Sequence, residues 1–218
     1  MKIKVISLYL KGITLFWTIG IFLVASTDKI QFHKKLNGCN NLFIDLVAPV
    51  ATNVGDGLFA VFIGLIFLFI ELRASLLILI SFLISAGITQ FLKHLVFSDE
   101  FRPMHYFGSD KNFHLIEGLE YHLNNSFPSG HSTTCFALFT MLAIYFSSRK
   151  MLQLFFVFSA ILFAFTRVYL SQHFFEDILA GSFVGTFSSV VVWLLLDDKL
   201  KHWDKSILTL IKKSDITS

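Results

Sequence analysis

The run Asn125-Ser126-Phe127-Pro128-Ser129-Gly130-His131-Ser132-Thr133-Thr134 lies where a long polar loop gives way to an apolar helix. Pro128 suits the loop or a first helical turn, and Ser129 is a good N-cap residue. Gly130, with no Cβ, lets the backbone approach a ligand closely. A helix N-terminus presents free N–H groups and a partial positive charge, which together suit an anion. His131 adds a group that gains or loses a proton near neutral pH. Pro-Ser-Gly-His alone also describes an ordinary capped helix with a chance histidine. The flanking sequence has to separate the two readings.

Upstream, Lys93 is followed after eight residues by Arg102-Pro103. Downstream, Thr166-Arg167-Val168-Tyr169-Leu170-Ser171-Gln172-His173 leads to Asp177 in His-Phe-Phe-Glu-Asp-Ile-Leu-Ala-Gly. Lys93, Arg102 and Arg167 are three cations near the ends of apolar segments, where an unpaired charge is costly and usually functional. Arginine offers a planar fork suited to phosphate oxygens, and lysine a point charge. With the N–H groups around Ser129 and Gly130 they could surround a phosphoryl group and stabilise its oxygens during transfer. Any one of them taken singly reads as a snorkelling side chain. His173 and Asp177 are four apart, so if helical they share a face, and the carboxylate can fix the imidazole tautomer. Arg167 and His173 are six apart and meet at one ligand only if the chain turns between them.

Together these pieces resemble the three-part signature of the type 2 phosphatidic acid phosphatase (PAP2) family: K-x6-RP, then PSGH, then SR-x5-H-x3-D. The resemblance covers residues 93–181, about two-fifths of the chain. Two positions depart from the pattern. Lys93 and Arg102 are separated by eight residues, and Thr166 stands where serine is usual. Two extra residues must bulge out for Lys93 to reach the site, or another cation such as Lys111 takes its place. The resemblance implies a double displacement without metal or other cofactor. His173 would attack phosphorus and form a phosphohistidine. His131 would protonate the leaving oxygen and then help water attack. Asp177 would orient His173, while Lys93, Arg102, Arg167, Ser129 and Gly130 would bind the phosphate.

Composition independently places the chain in a membrane: 55% of residues are hydrophobic, 27 are phenylalanine and only 15% are charged. Apolar segments fall at about Ser7–Ala25, Leu58–Leu72, Ala74–Phe97, His131–Phe146, Met151–Leu170 and Ile178–Leu196, several of them long enough to cross a bilayer. The first also meets the description of a cleaved signal peptide, since Gly12–Ala25 is uncharged and ends in small residues. Six spans is the usual count in the PAP2 family, and we read it as a span. Residues 26–55 form a polar and amphipathic connection, and Trp203 to Leu210 suits a short surface helix. Ser98–Phe127 is the longest polar stretch, and a loop of that size is usually functional.

With both termini on one side, that side carries 11 of the 18 basic residues: Lys2, Lys4, Lys11, Arg73, Arg149, Lys150, Lys199, Lys201, Lys205, Lys212 and Lys213. Four of the remaining seven (Lys93, Arg102, Lys111, Arg167) lie in or between the motifs. The excess of positive charge predicts cytoplasmic termini and an external face for the motifs.

The expectation is therefore an all-α, polytopic membrane protein of a single domain, residues 1–218, with six transmembrane helices and its site at the external ends of spans three to six. Its chemistry would be removal of phosphate from a lipid phosphate or diphosphate, such as undecaprenyl diphosphate, phosphatidic acid, phosphatidylglycerol phosphate or lipid A. The composition and small size look bacterial, which places the chain in the inner membrane of a cell envelope. Transfer to an acceptor other than water uses the same residues. Haloperoxidase chemistry is disfavoured by burial in a membrane, and the non-enzymatic alternative, a lipid transporter or lipid-binding protein, by the scarcity of charge within the spans beyond the motif ends, which argues against an ion pathway. No nucleic-acid motif occurs. Cys39 and Cys135 make no metal or redox motif, and His94, His105, His114 and His122 with Glu117 and Glu120 match no compact metal-ligand spacing.

Overall fold

The computed structural model describes residues 2–209, and among these every regular element is a helix. In chain order they are α1 (Ser7–Ser26), α2 (Lys29–Asn37), α3 (Leu42–Ala51), α4 (Gly57–Leu68), α5 (Leu72–Phe91), α6 (Pro103–Phe107), α7 (Gly130–Tyr145), α8 (Lys150–Tyr169) and α9 (Phe175–Leu196). Short 3-10 turns cover Lys2–Ile6, Thr52–Gly55 and Lys201–Trp203, and a π-helical turn over Leu92–Val96 continues α5. The tail expected to form a helix from Trp203 to Leu210 holds the end of a 3-10 turn at Trp203 and is α-helical at residues 207–209 within the described part; Leu210, Lys212 and Lys213 lie outside it.

Local sequence accounts for the boundaries. Asp28, Asn41 and Asp56 each cap the helix that follows by accepting backbone N–H groups: Gln31 at 2.9 Å, Phe43 at 2.9 Å and Leu58 at 2.8 Å. The connection over residues 26–55 thus resolves into α2 and α3. Pro103 opens α6 at a position where its missing N–H costs nothing.

The helix begun by the Pro-Ser-Gly-His run is the centre of the bundle. Eleven of the 16 residues of α7 are buried, and α1, α4, α5, α8 and α9 pack around it. The tightest crossing is with α9. A Cβ on Gly181 would come within 2.5 Å of Ser129 O, and one on Gly185 would run into Thr133 O. Small residues thus let two backbones touch, as helices in lipid favour. Hydroxyl groups link the remaining neighbours. Ser132 Oγ donates to Ile178 O (2.6 Å) and Ser189 Oγ to Ala137 O (3.1 Å). Thr89 Oγ1 donates to Thr133 Oγ1 (2.9 Å), and Tyr9 Oη lies 2.9 Å from Thr140 Oγ1. Trp17 Nε1 donates to Ser182 Oγ (2.9 Å), so α1 is bonded to both α7 and α9.

Among the described residues, four helices are long and apolar enough to cross a membrane: Ile3–Ser26, Leu72–Val96, Lys150–Tyr169 and Phe175–Leu196. A fifth candidate is the pair Leu42–Gly55 and Gly57–Leu68, bent by 57°. Phe22, Leu58, Leu83, Phe158 and Phe187 project outward, the arrangement expected when lipid is the solvent. The apolar side of α3 is equally bare, with Leu42 88% and Leu46 76% exposed. Its one carboxylate, Asp45, faces the protein and accepts from Tyr169 Oη (2.6 Å) beside His114 Nε2 (3.0 Å).

Above one end of the bundle, α2, α6 and the 98–127 loop form a small cap. Its core is Phe107, Phe113 and Phe174 with Ile30 and Leu115 against it. His33 of α2 packs among the three phenylalanine rings, with Nε2 3.2 Å from Ser171 Oγ. At the other end, Arg73 pairs with Glu71 (3.1 Å), Asp204 (2.8 Å) and Asp197 (3.4 Å).

Candidate active site

Beneath the cap meet the C-terminal ends of α5 and α8 and the N-terminal ends of α7 and α9. The chain reverses between α8 and α9 in a turn closed by the N–H groups of Gln172 and His173, which donate to Arg167 O at 2.9 and 3.1 Å. Ser171 takes a left-handed conformation, φ 52°, to complete it. This is the reversal that Arg167 and His173 need in order to share a site. His173 stands before α9, not on it, so it meets Asp177 across the helix N-terminus and not along a helical face.

That meeting is a direct contact. Asp177 Oδ2 lies 3.2 Å from His173 Nδ1 and accepts from the Phe174 N–H at 2.8 Å and Ser126 Oγ at 2.5 Å. The two side chains are buried, His173 2% and Asp177 1% exposed. A carboxylate acceptor places the His173 proton on Nδ1 and leaves Nε2 with its lone pair. Burial, then the charges of Arg102, Lys93, Arg167 and His131, hold the His173 pKa well below the usual 6.5. The imidazole is neutral, and the four side chains expected around it are its electrostatic neighbours.

Arg102 ties the motifs together. Its Nε donates to Asn124 O (2.9 Å), Nη2 to Asn125 O (3.4 Å) and Nη1 to Gln172 O (3.1 Å). Three of the five guanidinium N–H groups are thereby used and two remain. Burial lowers its pKa without threatening its charge. Arg167 Nη1 donates to Thr52 Oγ1 (3.1 Å), whereas its buried Nε has no partner among the described residues. Such an orphan cationic donor is costly unless a ligand takes it up.

Lys93 is buried in the π turn, within electrostatic reach of Arg102, Arg167 and Asp177. The π turn and the turn closed by Glu100 N–H on Phe97 O (3.4 Å) absorb the extra spacing of the first motif. Lys111 is exposed on the loop. Ser129 caps α7, its Oγ accepting from Ser132 N–H at 3.4 Å, but its own N–H is taken by Asp177 O at 3.0 Å. The open donors at this helix start are therefore the N–H groups of Gly130 and His131. Gly130 and His131 line a cleft of about 220 Å³ with Gly55, Gly57, Phe82 and Thr89, and a Cβ on Gly130 would meet nothing within 4 Å.

The loop histidines disperse: His105 stacks on Phe101 and His114 bonds to Asp45. No group of three His, Cys, Asp or Glu residues placed to hold a metal occurs among the described residues. Cys39 is exposed and Cys135 buried, and both are free thiols. Sequence reading missed Ser126 and Thr52, whose partners lie 51 and 115 residues away, and the carbonyls that hold Arg102. For Ser126 the only local signal was its place inside the motif run.

The model of the PAP2 superfamily matches residues 74–201, more than half of the chain. The chain belongs to the PAP2 superfamily. Two solved structures resemble this PAP2 chain in fold. Aquifex aeolicus LpxE is 19% identical with a TM-score of 0.64, covering 79% of this chain and 99% of its own. A transmembrane PAP2-type phosphatidylglycerolphosphate phosphatase from Bacillus subtilis is 21% identical with a TM-score of 0.57, covering 91% and 98%. A Drosophila melanogaster protein described as a candidate phosphatidate phosphatase is 38% identical over 77 residues. That match takes in 31% of this PAP2 chain, which spans about a fifth of the relative's length.

Proposed function

We propose that this PAP2 protein is a lipid phosphatase that works through a phosphohistidine on His173, without metal. The observation that carries the reading is the buried His173–Asp177 pair ringed by Lys93, Arg102, Arg167 and His131. Membership of the PAP2 superfamily and the lipid phosphatases among its relatives support phosphatase chemistry.

In the first half-reaction the phosphate lies between Arg102, Arg167, Lys93 and the N–H groups of Gly130 and His131. These charges stabilise the equatorial oxygens of the transition state. His173 Nε2 attacks phosphorus as the P–O bond to the lipid breaks, and His131 gives its proton to the departing oxygen. In the second half, His131 takes a proton from water, whose oxygen displaces Nε2 and releases inorganic phosphate. Asp177 holds the proton on Nδ1 and balances the imidazolium charge throughout.

The proposal includes one domain over residues 1–218 and six spans, α1, α4, α5, α7, α8 and α9. Helices α4 and α7 are short, but α7 is enclosed by its neighbours and does not have to match the hydrocarbon width by itself. The site would lie at the outer face of a bacterial inner membrane, which the clustering of basic residues at the opposite side supports. There a lipid keeps its tail in the bilayer while its headgroup enters beside His131. Undecaprenyl diphosphate, phosphatidic acid, phosphatidylglycerol phosphate and lipid A phosphates are the candidates.

The test is phosphate release by purified protein in detergent, with EDTA, against these lipids. Release that resists EDTA and disappears in His173→Ala supports the reading. Loss of release with EDTA would remove the metal-free mechanism, and consumption of lipid without free phosphate would indicate transfer to another acceptor.

A further inference from the structure

The carboxylate of Asp177 does not stand on the His173 contact alone. Its Oδ2 also receives the Ser126 hydroxyl at 2.5 Å, the shortest of its three bonds. Ser126 is 1% exposed, so water does not compete for this hydrogen bond. A short O–H···O⁻ bond in a dry site is of the strong, charge-assisted kind.

Several bonds hold Ser126 in place. Its N–H donates to Glu100 O at 3.0 Å. The preceding residue, Asn125, sits in the left-handed region (φ 56°), which asparagine tolerates, and this aims the Ser126 side chain inward. Arg102 grips the carbonyls of Asn124 and Asn125. On the other side, Phe127 packs its ring edge-on against Phe97 at 4.7 Å. A hydroxyl with no other bonded partner among the described residues is thus delivered to one carboxylate oxygen from a segment fixed at both ends.

We propose that Ser126 is a positioning residue for the nucleophile, acting through Asp177. It fixes the carboxylate in the rotamer that meets His173 Nδ1 and keeps Oδ2 anionic as the imidazole gains positive charge. Arg102 and Ser126 then form one linkage: the arginine that would bind phosphate also holds the loop that presents the serine. The inference rests on the reading of His173 as nucleophile, and its test must separate the two.

The experiment measures kcat and KM for phosphate release from phosphatidic acid and undecaprenyl diphosphate in mixed micelles. It compares wild type, Ser126→Ala, Asp177→Asn, the double variant and His173→Ala. Ser126→Ala removes only the hydroxyl oxygen, and its melting temperature is expected to fall by roughly 3–10 °C, leaving the protein folded under assay conditions. Its kcat is expected to fall about tenfold to a hundredfold with KM within about twofold. In the Asp177→Asn background the same change is expected to cost less than about twofold, because the group through which Ser126 acts is already altered. A kcat for Ser126→Ala within about twofold of wild type overturns the proposal. So does an undiminished loss in the Asp177→Asn background, or an effect confined to KM. If His173→Ala remains active, or wild type releases nothing from either lipid, the nucleophile assignment itself falls and the role of Ser126 falls with it.

Discussion

Replacing His173 by alanine removes the nitrogen that Asp177 orients, and phosphate release is expected to drop by at least about 10³-fold. Replacing His131 removes the proposed proton donor and is expected to cost about 10² to 10⁴-fold. The two losses differ in kind. Rapid quench into alkaline detergent, which spares the acid-labile P–N bond, should detect phosphoenzyme from a 32P-labelled lipid in the wild type or His131→Ala and none in His173→Ala. The depressed pKa of His173 also sets a pH expectation: the proposed nucleophile stays unprotonated as pH falls through 6.5. A profile of kcat/KM against pH for the wild type should therefore show no loss of activity centred there from His173. Much of this site was legible in the sequence, because histidine, arginine and the Pro-Ser-Gly-His run name their own chemistry. What stayed hidden depends on folding. Arg102 spends three donors on backbone carbonyls, and Ser129 gives its N–H to Asp177, bonds that no spacing rule could reveal.

At the scale of elements, two glycines of neighbouring helices should behave oppositely. Gly185→Ala forces a Cβ into the α7 backbone at Thr133, and overpacking of this kind costs about 1–3 kcal/mol. A lower melting temperature in detergent is the readout. Gly130→Ala faces open space and should leave melting unchanged while lowering phosphatase activity, if phosphate lies where that Cβ would project. The cap carries a pH signature of its own. Burial among the phenylalanines lowers the His33 pKa to about 4, so His33 stays neutral in the folded protein, while the unfolded chain takes up a proton near 6.5. The folded state therefore loses stability as pH falls from 6.5 towards 4, by roughly 3 kcal/mol in total. Substituting glutamine for His33 should flatten the dependence of melting temperature on pH across that window. The long helices were legible from their apolar runs, whereas α2 and α3, capped by Asp28 and Asn41, lay unread within the 26–55 connection. The π turn at Leu92–Val96 was visible only as an anomaly, two residues too many between Lys93 and Arg102. Its form depends on how α5 packs, which local sequence does not encode.

For the whole molecule, the native cysteines offer a test of orientation. Cys39 is exposed at the site end and Cys135 is buried in α7, so a membrane-impermeant maleimide added to intact cells or spheroplasts should label the protein once, at Cys39. Labelling only after the membrane is opened would place the site on the cytoplasmic side. Composition made the membrane setting plain, but not which segments cross it unaided. The six apolar segments expected from hydropathy all form helices, yet α4 and α7 fall short of the length that marks a span. A window of sequence cannot tell that α7 is shielded by the helices around it. That shielding has a physical consequence. Sixteen residues rise roughly 24 Å, against a hydrocarbon layer of about 30 Å. The strain of hydrophobic mismatch falls on the outer helices, while Gly130, His131 and their partners keep station on protein alone. Host lipids of longer or shorter acyl chains should change how firmly the outer helices sit and leave the geometry around His173 almost untouched.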